Sequence, residues 1–182
     1  MNEKERTKTS RFMSLVLRHQ PEVANVELDK NGWVDVDILL AGMAVTGRAI
    51  TREELDEIVV TSPKQRFALN EDGTRIRANQ GHSIDVELGY EAASPPDRLF
   101  HGTYADVVDI ILRDGLSKMK RHHVHLSADV ATATQVGARR GKPIILEIDA
   151  NAMVAKGLNF YVSTNGVWLT DFVPPEAIRL QD

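Results

Sequence analysis

No cysteine occurs among the 182 residues, which excludes disulfides, thiolate metal centres and cysteine nucleophiles together. No apolar run approaches the ~18 residues that a membrane helix requires. The opening Met1-Asn2-Glu3-Lys4-Glu5-Arg6 lacks the apolar core of a secretory signal, so a cytoplasmic protein away from the membrane is expected. No Gly-x-Gly-x-x-Gly is present, and a doubly wound dinucleotide site is not expected. Internal repeats and low-complexity tracts are absent as well. Positive charge is in short supply: 22 Lys+Arg stand against 26 Asp+Glu, a net charge of −4. A chain of that sign is no basic glove for a long duplex. Any nucleic acid it holds must be held by local clusters gripping a few phosphates.

What is present is ordinary for a soluble globular protein: 42% hydrophobic and 26% charged residues. The length suits one domain or two small ones. Phe12, Leu15 and Val16 recur at helical spacing, and Pro21 stops that helix. Arg18 and His19 fall in its last turn, where basic residues complement the helix dipole. Asp29-Lys30-Asn31-Gly32 is a turn signal, followed by a short strand at Trp33-Val34. Asp35 or Asp37 can cap a helix through Leu39, Leu40 and Met43. Thr51-Arg52-Glu53-Glu54 is a capping box for a helix with Leu55, Ile58 and Val59 inward.

Two alternating runs then flank Glu71-Asp72-Gly73, a hairpin signal. Phe67 and Leu69 share a face, as do Ile76 and Ala78, with Arg66 and Arg77 turned away. Asn79-Gln80-Gly81-His82-Ser83 follows, a dense group of polar donors for a surface hairpin. Helices followed by a two-stranded wing suggest a winged-helix-like lobe over residues 1–93. The small, polar, proline-rich Glu91–Asp97 reads as the linker.

From residue 94 to 182 the pattern is several short strands with interposed helices and no regular βαβ repeat, which indicates an α+β class. Leu99-Phe100-His101 is a strand running into Gly102-Thr103. A helix through Val107, Val108, Ile111 and Leu112 closes at Gly115. Val124-His125-Leu126 is a strand, and Ser127 is placed to cap an alanine-rich helix ending near Gly141. Ile144–Ile148 is a buried-type strand. Asn159–Ser163 and Val167–Thr170 pair across Thr164-Asn165-Gly166. Lys118, Lys120, Arg121, His122, His123 and His125 form the densest basic cluster. Three histidines invite a metal, but no Asp, Glu or Cys in the cluster completes a ligand set, and no metal is expected.

Four motifs in order carry a resemblance over nearly the whole chain. Leu17-Arg18-His19, Ile76-Arg77-Ala78-Asn79-Gln80-Gly81-His82-Ser83, His101-Gly102-Thr103 and His123-Val124-His125-Leu126-Ser127 resemble the motifs of the RNA 2′-phosphotransferases, the NAD-dependent tRNA-splicing phosphotransferase family. The last two also resemble the first and second motifs of the ADP-ribosyltransferase fold. The resemblance implies an ADP-ribosyltransferase-like lobe over residues 94–182, in which His101, Gly102, Thr103, His125 and Ser127 bind NAD as co-substrate. It further implies that Arg18, His19, Arg66 and Arg121 act on one RNA 2′-phosphate.

The implied partner is RNA carrying a 2′-phosphate, and a monomer is the default. A terminal phosphate carries about −1.5 to −2 charges at pH 7, and arginine forks match its oxygens bidentately. In the implied reaction the 2′-phosphate attacks C1″ of the nicotinamide ribose. The 2″-hydroxyl then attacks phosphorus, releasing RNA and ADP-ribose 1″,2″-cyclic phosphate. His19, with an ordinary pKa near ~6.5, is suited to protonate the leaving RNA oxygen. Many ADP-ribosyltransferases place a Glu on a late strand, whereas Val167-Trp168-Leu169-Thr170 has no carboxylate before Asp171. Two other readings stay open: an ADP-ribosyltransferase acting on nucleic-acid phosphate ends, and a non-enzymatic winged-helix nucleic-acid binder.

Overall fold

Helix α1 (Glu3–Arg18) begins at Asn2, whose side chain accepts from Glu5 N while the Glu5 carboxylate accepts from Asn2 N. That reciprocal box satisfies two of the orphan donors at the helix start. Phe12, Met13, Val16 and Leu17 form its buried stripe. The computed structural model describes residues 1–181, the side chain of Arg140 excepted. They divide into a unit ending at Gly89 and a unit beginning at Tyr90, both mixed α and β.

In the first unit a short strand β1 (Val34–Asp35) leads directly into helix α2 (Val36–Val45), capped by Asp35 through Asp37 N and Ile38 N. Helix α3 (Arg52–Thr61) starts from the expected box at Thr51 and Glu54. Strands β2 (Phe67–Leu69) and β3 (Arg75–Ala78) form the hairpin, with Phe67 opposite Ala78 and Leu69 opposite Ile76. The turn uses Gly73 at φ 71°, a left-handed conformation that glycine adopts without a Cβ penalty. Strand β1 adds to the other edge of β3, giving a three-stranded antiparallel sheet. Phe67, Ile76 and Ala78 meet the buried faces of the three helices in one core. On the side away from it, the Arg77 guanidinium stacks 4.6 Å over the Trp33 ring.

The second unit is built on strand β4 (Arg98–Thr103). It continues through helix α4 (Ala105–Asp114), strands β5 (Leu116–Ser117) and β6 (Val124–Leu126) and helix α5 (Val130–Gly137). Strand β7 (Ile144–Asp149), helix α6 (Ala150–Ala155) and strands β8 (Tyr161–Val162), β9 (Trp168–Thr170), β10 (Phe172–Val173) and β11 (Ile178–Leu180) complete it. The sheets are antiparallel: β11-β7-β4, β6-β9-β8 and the pair β10-β5. Residues 90–93 are tied into this unit, since Ala92 bridges Tyr161 and Ala93 N donates to Phe160 O at 2.8 Å.

Leu146 and Ile148 of β7 face the second core with Leu99, Leu126 and Phe160. Glu147, on the alternate face, is buried yet compensated by Arg98 at 3.2 Å and by Arg179. A lone carboxylate there would carry a heavy desolvation cost. Ser127 does not cap α5. Asp129 does, accepting from Thr132 N at 2.7 Å, and a carboxylate at a helix N-terminus also complements the dipole. The helix ends at Gly137 and continues as a 3-10 turn, Ala138–Arg140.

Helix α5 lies so close to β4 that a Cβ on Gly102 would sit 1.8 Å from Ala133 O and 2.8 Å from Gly137 N. Both obstacles are backbone and have no rotamer with which to yield. Gly102→Ala is therefore expected to lower stability by at least about 1–3 kcal/mol, seen as a melting temperature reduced by several degrees. An unchanged melting curve would mean that α5 can lift from the strand without cost.

Candidate active site

The first unit gathers its motif residues around the end of α1. Arg18 is in the last turn and His19 is the C-cap. Arg18 O accepts from Ser83 N at 2.9 Å, and His19 Nδ1 lies 2.8 Å from Ser83 Oγ. Ser83 belongs to the segment after β3, so the second motif is bonded directly to the first. Arg66, one residue before β2, joins the same knot. Its carbonyl accepts from Arg18 Nη2 at 3.4 Å and from Asn79 N at 2.9 Å. Its own Nη1 donates to Ser62 Oγ at 3.4 Å. Asn79 Nδ2 donates to Gln65 O at 2.6 Å, and Gln65 adopts φ 39°. A left-handed non-glycine residue costs about 1 kcal/mol, so the Asn79 bond steadies the residue that aims Arg66.

Arg18, His19 and Arg66 thus come together. Two of the polar residues after the hairpin are scaffold, contrary to the surface cluster their composition suggests: Asn79 is 3% exposed and His82 1%. Ser83 was not among the candidate residues. Its partner His19 is 64 positions away, and no local pattern connects them. Arg75 is engaged elsewhere, on Asp29 Oδ2 at 3.0 Å.

In the second unit His101 Nδ1 lies 3.1 Å from His125 O. A carbonyl only accepts, so the proton is on Nδ1 and Nε2 keeps its lone pair. Burial pushes the His101 imidazole below its ordinary range; the bond to His125 O opposes this and the Arg121 charge adds to it. Arg121 Nη1 lies 3.3 Å from His125 Nδ1. A guanidinium only donates, which makes His125 the Nε2–H tautomer.

Arg121, His125 and His101 therefore form a chain of contacts joining two motifs. Ser127 closes it from the backbone, exchanging bonds of 2.8 Å with Phe100 that pin the end of β6 against β4. Thr103 is buried at the end of β4 opposite Ile144. Gly102 shows its missing side chain to α5, so packing alone demands glycine there.

His123 sits between Tyr90 and Tyr161, ring centroids 6.1 and 5.5 Å away, and 3.9 Å from Asp171. Burial lowers its pKa, with Asp171 pulling the other way. The first carboxylate after β9 is thus turned to a histidine. Among the described residues no group of three or more His, Cys, Asp or Glu side chains is arranged to hold a metal ion.

Residues 4–172 match the profile described as RNA 2′-phosphotransferase, Tpt1 / KptA family. The chain belongs to the RNA 2′-phosphotransferase family. It is similar over 173 residues, at 55% identity, to a probable RNA 2′-phosphotransferase of Hahella chejuensis, covering 95% of this chain and 93% of that protein. Similar proteins of the same description occur in Nostoc punctiforme, 50% identical over 98% of this chain and 99% of that one, and in Streptomyces griseus, 50% identical over the full length of both. In this phosphotransferase chain the four motifs are therefore parts of two local assemblies, one in each unit.

The lowered pKa of His101 has a consequence for stability. Between the folded value and the ordinary value of about 6.5, the unfolded chain binds a proton that the folded chain refuses. Stability complete above about pH 7 is then lost as pH falls through about 6.5. His101→Asn keeps a donor for His125 O and removes the titration. Urea unfolding at about pH 7.5 and 5.5 is expected to show a larger loss for the wild type than for this variant. Equal losses would clear His101 as the cause.

Proposed function

We propose that this phosphotransferase removes an internal 2′-phosphate from RNA by transferring it to NAD. The knot of Arg18, His19 and Arg66 around Ser83 is the observation that carries the reading. It links three residues from two segments, the Arg18 guanidinium and His19 imidazole at the end of α1 and the backbone of Arg66 ahead of β2. Two arginines with a histidine are a donor set suited to a doubly charged phosphate on a chain of net charge −4. The family resemblance implies a further guanidinium from Arg121, which lies on His125 in the second unit. On this reading the first unit is a winged-helix-like RNA-binding lobe and the second an ADP-ribosyltransferase-like lobe. His101, Gly102, Thr103, His125 and Ser127 hold NAD there. The Nε2 lone pair of His101 is available to accept from a ribose hydroxyl or an amide.

The 2′-phosphate attacks C1″ of the nicotinamide ribose and nicotinamide leaves, forming ADP-ribosylated 2′-phospho-RNA. A phosphate dianion is already a nucleophile, so no base is needed. The 2″-hydroxyl then attacks phosphorus, giving up its proton to water, and the RNA 2′-oxygen departs, taking a proton from His19. The products are nicotinamide, 2′-hydroxyl RNA and ADP-ribose 1″,2″-cyclic phosphate. The arginines stabilise charge on the phosphoryl oxygens in both steps. Chemistry of this kind has no call for a metal.

The test is incubation with NAD and an RNA bearing one internal 2′-phosphate, with EDTA present. Loss of the phosphate with release of the cyclic phosphate is expected. Binding without turnover, or activity restored by zinc after chelation, would overturn the mechanism.

Arg66→Ala and Arg121→Ala should each reduce kcat/KM about 10- to 150-fold, the worth of a charge-assisted bond. Arg75→Ala, whose guanidinium bonds Asp29 and Trp33 O, should stay near wild type. Equal losses at all three would indicate a diffuse field in place of a site.

An NAD analogue lacking the 2″-hydroxyl should complete the first step and stall. Mass spectrometry would then show RNA joined to ADP-ribose through its 2′-phosphate. Efficient formation of 2′-hydroxyl RNA from the analogue would make water the second nucleophile.

A further inference from the structure

We infer that a basic stripe along α1, extended by Arg48 after α2, holds the phosphodiester backbone of the RNA beside the reacting nucleotide. The inference rests on RNA being the substrate, as proposed above. Lys8, Arg11, Phe12, Leu15 and Arg48 line an open groove of about 490 Å³. Spacings of three, four and three residues put Lys8, Arg11, Leu15 and Arg18 on one side of α1. The groove therefore runs along the helix toward Arg18 and His19. At about 1.5 Å rise per residue, Arg11 lies about 10 Å from Arg18 along the axis. That is roughly three phosphate steps of a stacked strand. A strand held at its 2′-phosphate by Arg18 and His19 carries further diester charges within that reach.

Three arginines of the unit outside the groove are paired with carboxylates: Arg6 with Glu57, Arg52 with Asp56 and Arg75 with Asp29. Among the described residues no carboxylate pairs with Lys8, Arg11 or Arg48. Yet residues 1–93 hold 12 Lys+Arg against 16 Asp+Glu, so chance placement would favour acidic neighbours. Arg48 is also pre-positioned. Its guanidinium lies 4.3 Å over the Phe12 ring, and Nη1 donates to Thr46 O at 3.3 Å. A planar fork held in that way loses little freedom on meeting a phosphate.

The test compares a single-stranded RNA of about ten nucleotides, carrying one internal 2′-phosphate, with a dinucleotide carrying the same group. NAD is saturating throughout. Lys8 and Arg11 are exposed, so the double variant Lys8→Ala, Arg11→Ala keeps its fold, which a melting curve checks. The double variant is expected to raise KM for the longer RNA about tenfold with kcat unchanged. It should leave the dinucleotide within about twofold. In fluorescence anisotropy with the longer RNA, the slope of log affinity against log salt should shrink by about 1.4, the value for two lost single-strand phosphate contacts. Lys30→Ala, a surface charge outside the groove, should change neither.

Equal effects on both substrates, or no effect on the longer one, would overturn the inference. If the wild type binds the longer RNA without turning it over, the reaction proposed above fails. The change in salt slope then still decides whether the groove holds the strand.

Discussion

Ser83 reaches back to the end of α1 with both its backbone and its side chain, and the arrangement of the first unit's motif residues depends on that contact. The Ser83 amide satisfies Arg18 O, one of the carbonyls that a helix leaves without an intrahelical partner. Its hydroxyl meets His19 Nδ1. The helix end, which would otherwise turn its last carbonyls to water, becomes the anchor for the segment after β3. The His19 ring is held in the process. The same segment reaches Arg66 and Gln65 through Asn79, so one stretch of chain orients cations from two separate elements. This explains the burial of Asn79 and His82: a segment that positions others must itself be immobile.

The second unit solves a similar problem with a close backbone approach. Gly102 lets α5 settle on β4 at a distance no side chain permits. Ser127 pairs with Phe100 on the same strand and brings β6 alongside. His101 and His125 become neighbours as a result, and each ends in a defined tautomer because its partner is a pure acceptor or a pure donor. A neutral histidine with a fixed lone pair is a directional acceptor, which suits holding a ligand better than shuttling a proton.

Charge is distributed locally in both units. Several arginines are neutralised by carboxylates: Arg75 on Asp29, Arg52 on Asp56, and Arg98 with Arg179 on Glu147. The exposed pairs contribute little to stability, whereas the two arginines on Glu147 offset the cost of burying a carboxylate.

Local patterns in the sequence were enough to determine most elements. The capping box at Thr51–Glu54, the Asp35 cap and the hairpin around Gly73 depend on bonds between near neighbours in the chain, and the strand at Ile144–Ile148 on a continuous apolar run. The ordered motifs likewise sufficed to recognise the family. The cap of α5 expected at Ser127 falls instead at Asp129, because Ser127 is taken by a strand distant in the chain. Only tertiary structure paired Ser83 with His19, turned Asn79 and His82 inward, assigned Gly102 to helix packing and lined a groove with Lys8, Arg11 and Arg48. Each of these depends on which distant segment arrives opposite a residue. That is set by the packing of whole elements, and it leaves no trace in the spacing of neighbours along the chain.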